Sequence, residues 1–203
     1  MYSQNNEEQI ILNYFSNQPK GTFLDIGAND GITLSNVRAL AEKGWKGCLV
    51  EPSIICYEKA KENYKGFQRI RIENCAIGTT TGRVKFYESG SHLNIGDHSL
   101  VSSTIEEETK RWHKETFTET EVNQFTFADF KDLIPFSNFD FISIDAEGLD
   151  YEILSQINLR IINTKMVCVE HNGKDIQKYI DYCAQFDLHE IHINAENIIL
   201  AKL

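Results

Sequence analysis

The chain has no excess of basic residues. Its 20 Lys and Arg face 30 Asp and Glu, a formal net charge of −10. That balance, with no basic stripe, argues against a phosphate-gripping nucleic-acid binder, and no polybasic membrane segment is present. No apolar run approaches the ~20 residues that cross a bilayer, so membrane insertion is not expected. Met1 to Glu8 is polar and acidic, unlike a secretory leader. The five cysteines (Cys48, Cys56, Cys75, Cys168 and Cys183) are odd in number and include no C-x-x-C pair. They read as buried, reduced thiols of a cytoplasmic protein, not as a disulfide framework or a zinc site. Internal repeats, low-complexity tracts and an interdomain linker are also lacking.

What is present is an ordinary globular composition, 41% hydrophobic over 203 residues, enough for one sizeable core and one domain. Ile10, Ile11, Tyr14 and Phe15 suggest a short amphipathic helix within about residues 4–16. Strands are expected at 22–26, 45–50, 67–72, 84–87, 139–144 and 166–169. Helical spacing falls between them, at 34–41, from the Ser53 N-cap to about 64, at 128–133, 149–157 and 175–185. Residues 188–193 and 197–201 close the chain as two strands joined by a short turn. Repeated β-α units predict a mostly parallel sheet covered on both faces, with an antiparallel strand near one edge. Residues 89–120 break the pattern. They are polar, carry His92, His98, Ser102, Ser103, Trp112 and His113, and read as a lid-like insertion or a partly disordered excursion.

The stretch Phe23-Leu24-Asp25-Ile26-Gly27-Ala28-Asn29-Asp30-Gly31 concentrates the information. An apolar strand ends in an acid, and a small-residue turn then leads towards a helix, the usual cradle for a nucleotide-like ligand. The spacing Asp25-x-Gly27-x-Asn29-x-Gly31 differs from the dinucleotide fingerprint G-x-G-x-x-G. An acid at its front suits a ligand bearing a positive charge and an amino-acid end. Asn29 tolerates the left-handed backbone that a glycine would otherwise supply. Glu51 follows Gly31 by 20 residues, the interval at which a carboxylate reaches ribose hydroxyls. Asn74-Cys75-Ala76-Ile77 follows the third strand, where an adenine ring would lie. Asp25, Glu51, Asp145 and Glu170-His171 all end strands, and the carboxyl ends of parallel strands form the ligand crevice.

Taken in order, Tyr2-Ser3-Gln4, the 23–31 loop, Glu51-Pro52, Asn74-Cys75-Ala76-Ile77-Gly78 and Ile144-Asp145-Ala146-Glu147-Gly148 resemble the FkbM-type family of S-adenosylmethionine-dependent methyltransferases. The resemblance covers nearly the whole chain and is weakest in 89–120. It implies a three-layer α/β, Rossmann-like class I methyltransferase fold, with a mostly parallel seven-stranded sheet and the last strand antiparallel. It also implies S-adenosylmethionine as cofactor and O-methylation of a sugar, glycan or natural-product hydroxyl. Asp25, Gly27, Ala28, Asn29, Gly31, Glu51, Pro52, Asn74, Cys75 and Ala76 would then hold the cofactor. Ala146 replaces the β-branched residue that many relatives carry. Against a nucleic-acid methyltransferase stand the charge and the lack of an N/D-P-P-Y/F motif or a Pro-Cys nucleophile. A nicotinamide-dependent oxidoreductase and a non-catalytic cofactor-binding protein are the competing readings.

An alcohol with a pKa near ~15.7 and an ordinary aspartate near ~3.9 are separated by about 16 kcal/mol for complete proton transfer. Asp145 or His171 could instead take the proton as the new bond forms, or burial could raise the pKa of the base. A divalent cation such as Mg, held by Asp145 and Glu170, is the third route, by similarity to metal-dependent catechol-type O-methyltransferases. Glu147 is a candidate catalytic ligand, substrate contact or helix cap. Oligomeric state is not legible.

Overall fold

The computed structural model describes residues 1–173 and 175–203. The elements in chain order are α1 (Glu7–Tyr14), β1 (Thr22–Ile26), α2 (Arg38–Glu42), β2 (Lys46–Val50), α3 (Ile54–Asn63), β3 (Ile70–Glu73), β4 (Ala76–Ile77) and β5 (Gly82–Ser89). There follow α4 (Glu106–Thr109), a 3-10 turn at Lys110–Trp112, β6 (Phe117–Phe125), α5 (Phe127–Leu133) and β7 (Phe141–Ile144). The chain ends with α6 (Asp150–Leu154), β8 (Met166–Glu170), α7 (Gln177–Ala184), β9 (His189–Ile193) and β10 (Asn197–Ala201).

Seven strands form one sheet in the order β3-β2-β1-β7-β8-β10-β9. All neighbours pair in parallel except β10, which runs antiparallel to both β8 and β9. This is the Rossmann-like arrangement with its last strand reversed. Every residue of β1, β7, β8 and β10 is buried, as expected of strands covered on both faces. Side chains alternate between two cores. Leu24, Ile26, Ile142 and Ile144 pack with Phe130 of α5, Ile153 of α6 and Cys183 of α7. Phe23, Leu49 and Phe141 pack on the opposite face with Ile11 of α1, Leu40 of α2 and Trp45.

The register aligns the strand ends. Ile26 pairs with Val50 and with Ile144, and Ile144 with Val169. The acids at or just beyond these positions therefore share one edge. The segment before α1 is drawn to that edge as well. Ser3 bridges Leu34, Asn5 Nδ2 donates to Glu196 (2.7 Å), and the fully buried Glu7 accepts from the Asn194 and Asn197 amides at 2.8 and 2.9 Å. Burial alone would raise the Glu7 pKa, but its backbone and amide donors outweigh that and hold it below the usual range.

Two expectations fail here for local reasons. The helix read over 34–41 is only Arg38–Glu42. Asp30 Oδ1 accepts from Ile32 N and Thr33 N (2.8 and 2.7 Å), and Ser35 Oγ from Val37 N and Arg38 N (3.3 and 3.1 Å), so side chains take the donors an earlier helical turn would present. The 89–120 insertion is shorter than its composition suggests. β6 starts at Phe117 and pairs antiparallel with β5 along its length, and with β4 in parallel, as a separate three-stranded sheet. Its Thr and Glu residues look like loop. They instead join the ladder with β5, where Glu121 and Glu119 form cross-strand ion pairs with Arg83 (3.1 Å) and Lys85 (3.0 Å).

Candidate functional site

A cavity of about 230 Å3 lies at the carboxyl ends of β1, β2, β7 and β8. Typical ligand pockets run ~300–1,000 Å3, so admitting a cofactor and an acceptor together requires the covering segment to move. Eight of the ten residues expected at a cofactor line this cavity. Asp25, Gly27, Ala28 and Asn29 come from the β1 loop, Glu51 and Pro52 from the end of β2, and Cys75 and Ala76 from the region after β3. Gly31 and Asn74 do not. Gly31 sits under Tyr64, whose hydroxyl donates to its carbonyl (3.0 Å), and Asn74 Nδ2 donates to the Glu51 and Pro52 carbonyls (2.9 and 3.0 Å). Both shape the site from behind.

The β1 loop is held in a tight left-handed path. Gly27 has φ 82° and Asn29 φ 49°. A Cβ on Gly27 would lie 1.7 Å from the Asp145 carbonyl oxygen, so no other residue fits that approach of β1 to β7. Glu51 pins the loop, its Oε2 accepting from Asn29 N (2.8 Å) and its Oε1 from Ser53 N (2.7 Å). One lone pair on each oxygen stays open to a ligand hydroxyl. Burial raises the Glu51 pKa to about 8 and that of Asp25 to about 7, partly offset by the two backbone donors and by the Ser143 hydroxyl respectively.

The second wall comes from the ends of β7 and β8, where Asp145, Glu147 and Glu170 line the cavity. Asp145 is open to solvent there, yet protein surrounds it on the other sides. Burial, then Asp150 and Asp25, push its pKa up to about 7, and water in the cavity screens part of that shift. Burial and neighbouring acids likewise drive Glu147 and Glu170 well above the usual range. Glu147 is not a helix cap. The N-cap position of α6 is Leu149, without a side-chain cap, and Asp150 instead ties back the loop before it, with Oδ1 accepting from Ala146 N (2.7 Å) and Oδ2 from Gly148 N (3.1 Å), while Glu147 has a left-handed conformation (φ 45°) and lines the cavity. The repeat of an acid five residues after Asp145 was the available signal for Asp150.

His171 does not join the site. It is buried, accepts from Gly173 N at Nδ1 (3.0 Å), and is 3.0 Å from the Asn194 carbonyl at Nε2. With Nδ1 an acceptor, Nε2 carries the proton and donates. Nε2 ties the end of β8 to the β9–β10 turn and Nδ1 holds the adjacent turn at Gly173, so His171, expected beside Asp145 as a candidate base, is a structural residue.

Asp145 and Glu170, the pair expected to hold a divalent cation, are joined by Asp150; one oxygen from each lies within 4.8 Å of the others. Much of this donor set is already engaged, by the two backbone N–H groups on Asp150 and by Asn172 Nδ2 on Glu170.

The β5–β6 connection covers the cavity and has its own order. Asp97 gathers His92 N, Leu93 N, Ile95 N and the Ser91 hydroxyl (2.6, 2.9, 3.2 and 2.7 Å). Asn29 Nδ2 and Cys56 Sγ both donate to the His98 carbonyl (2.8 and 3.1 Å), and Ser103 Oγ donates to the Glu147 carbonyl (2.7 Å). His92, Ser102, Ser103 and Trp112 line the cavity, while His113 is exposed. Gln4, Asn36, Asn172 and Glu196 also reach it; Gln4 belongs to the Tyr2-Ser3-Gln4 stretch noted in the sequence, while the other three are isolated polar residues that offered no pattern by which to find them.

A family model described as the methyltransferase FkbM domain matches residues 25–191. No curated protein matches the chain. Among solved structures, monomeric WbdD superposes with a TM-score of 0.56 at 11% identity, over 98% of this chain and 41% of that one. The METTL16 MTase domain gives 0.54 at 12%, over 97% and 66%, so this chain spans about two thirds of its length. A human methyltransferase 10 domain containing protein gives 0.51 at 10%, over 100% and 83%. At these identities the likeness is one of fold. No helix among the described residues is long and apolar enough to cross a membrane.

Proposed function

The chain belongs to the FkbM methyltransferase family, whose cofactor is S-adenosylmethionine, and on that premise we propose that it methylates a hydroxyl of a sugar-like or glycan acceptor. The carrying observation is that the Asp25–Asn29 loop with Glu51 and the Asp145–Glu147–Glu170 wall line one cavity. The residues suit the cofactor. The turn at Gly27 has no room for a Cβ, Asp25 offers a carboxylate to a cationic group, and Glu51 keeps acceptor capacity for paired hydroxyls. When bound, S-adenosylmethionine supplies a methyl carbon already activated by its sulfonium.

The protein's own task is then largely alignment and proton removal. Asp145 is the proton acceptor in this reading. Its carboxylate opens to the cavity, and its raised pKa narrows the gap to an alcohol relative to an ordinary aspartate. The acceptor O–H proton passes to an Asp145 oxygen as the oxygen–carbon bond forms, so no free alkoxide is required. Glu147 and Glu170 contact the acceptor, and the β5–β6 connection excludes water above it. No step is assigned to a divalent cation.

The test is methyl transfer from labelled S-adenosylmethionine to a pool of candidate sugars and glycans, read by mass spectrometry for one added methylene and by fragmentation for its position. Asp145→Asn should retain S-adenosylhomocysteine binding within threefold and lose at least ~100-fold in kcat. Methylation on nitrogen or carbon, or undiminished transfer by Asp145→Asn, would overturn the reading.

A further inference from the structure

The amino-acid end of S-adenosylmethionine carries a carboxylate as well as an ammonium group, and the cavity is poor in groups to receive the carboxylate. Among the described residues no Lys or Arg lines the cavity, whereas Asp25, Glu51, Asp145, Glu147, Glu170 and Glu196 do. Backbone N–H groups at the start of such a loop often receive an anion, but here they are engaged. Gly27 N and Ala28 N both donate to the Val50 carbonyl (3.0 and 3.1 Å), and Gly31 N to the Ala28 carbonyl (2.9 Å). Asn29 N donates to Glu51 (2.8 Å), Asp30 N to the Asn29 side chain (2.8 Å), and Ile32 N and Thr33 N to Asp30 (2.8 and 2.7 Å). Every backbone N–H from 27 to 33 is therefore used inside the chain.

Side-chain amides are neutral donors that can serve instead. Those lining the cavity are Gln4, Asn29, Asn36 and Asn172. Asn29 Nδ2 donates to the His98 carbonyl (2.8 Å), Asn172 Nδ2 donates to Glu170, and Asn36 Nδ2 is turned to Ser143 Oγ and Cys168 Sγ (3.4 and 3.6 Å). The exposed Gln4 side chain makes no hydrogen bond to the described residues. Its backbone is nevertheless held on both sides. Ser3 bridges Leu34 in parallel, and paired strands lie about 4.8 Å apart, so Gln4 runs alongside Leu34 and Ser35, which also line the cavity. Asn5 Nδ2 donates to Glu196 (2.7 Å), and Ser3 Oγ accepts from Glu8 N (3.0 Å). Contacts continue from this strap to Asp25, since Asn36 reaches Ser143, whose hydroxyl bonds Asp25. Asp25 also lies on the Phe23 face of β1, the face on which Ile11 of α1 packs.

We infer that Gln4, from a segment preceding the family-matched residues 25–191, is a cofactor-binding residue whose side-chain amide donates to the carboxylate of the amino-acid end, while Asp25 faces the ammonium group. This rests on the methyltransferase reading and adds to its cofactor site a residue from outside the matched region.

The experiment is isothermal titration of the full chain with S-adenosylhomocysteine and with its decarboxylated analogue, which keeps the adenosine, sulfur and ammonium groups and lacks the carboxylate. Gln4→Ala should weaken S-adenosylhomocysteine about tenfold, as for one lost hydrogen bond to a charged group, and leave the analogue within twofold. Gln4→Glu sets a like charge before the carboxylate, so it should weaken S-adenosylhomocysteine at least as much and not weaken the analogue. Thermal midpoints of both variants should match the wild type, because the side chain is exposed and makes no bond in the chain. The inference is overturned if both variants bind S-adenosylhomocysteine as the wild type does, or if either variant weakens the two ligands alike, which would make the strap a structural element only. Failure of the wild type to bind S-adenosylhomocysteine would instead sink the methyltransferase reading.

Discussion

Replacing Asp25 by Asn should make the free protein more stable and less able to hold its cofactor. Asp25 is 5% exposed, and burial raises its pKa from an ordinary 3.8 to about 7, against the pull of the Ser143 hydroxyl. A folded-state pKa above the unfolded value means the native protein binds the proton more tightly. The stability contributed by the protonated form is therefore complete below about pH 4 and is lost as pH rises towards about 7. With those two values, linkage gives a loss of about 2 kcal/mol between pH 5.5 and pH 8, and about 4 kcal/mol in total at pH 8. The total is an upper figure because Asn must also be buried. It is still a large share of the ~5–15 kcal/mol that holds a domain folded. Urea unfolding followed by the fluorescence of the buried Trp45 measures it. The difference in stability between wild type and Asp25→Asn should grow by about 2 kcal/mol from pH 5.5 to pH 8. Glu51 contributes its own slope to both proteins, and most of it cancels in the subtraction. S-adenosylmethionine affinity of the variant should fall at least tenfold. Parallel stability curves would refute the claim that Asp25 is held protonated by burial, and unchanged affinity would refute its role at the cofactor.

Three further outcomes follow from the geometry. Gly27→Ala puts a methyl group 1.7 Å from the Asp145 carbonyl oxygen, so it should cost more than ~2 kcal/mol in stability by denaturant titration and abolish detectable binding of S-adenosylhomocysteine. His171→Ala should lower stability by ~2 kcal/mol through loss of its two ring bonds, with kcat within threefold and the pH profile of the rate unshifted; a displaced profile would restore His171 as a base. Amide exchange of residues 91–105 should slow at least tenfold when S-adenosylhomocysteine binds, since the covering segment must open to admit it and close again; unchanged exchange would mean that the segment is a fixed wall.

The parallel sheet was legible because its central strands are short, mostly apolar and bounded by helix-forming stretches. The loop at Asp25–Gly31 was legible because left-handed turns accept few residue types. β6 was hidden because backbone pairing with β5 holds it, while its inward positions Thr120 and Gln124 are polar and its Glu119 and Glu121 are exposed, which leaves little hydrophobic alternation. The functional reach of His171 was misjudged for a related reason. Ending a strand beside Glu170 places its Cα at the crevice, but ring orientation is set by Asn194 and Gly173, which belong to distant and adjacent turns. Asn36 and Glu196 reach the cavity only through the path of turns between elements, which local pattern does not encode.

The contacts made by residues 3–7 have a practical consequence. Ser3 bridges Leu34, Asn5 holds Glu196 and Gln4 lines the cavity, so an affinity tag or fusion partner attached at Met1 would hang at the mouth of the site. At the other terminus, Ala201 pairs with Met166, at the start of β8, and Leu203 is 95% exposed. Attachment there places a tether, a label or an immobilising surface at the opposite edge of the sheet, leaving the entrance clear for the assays described above.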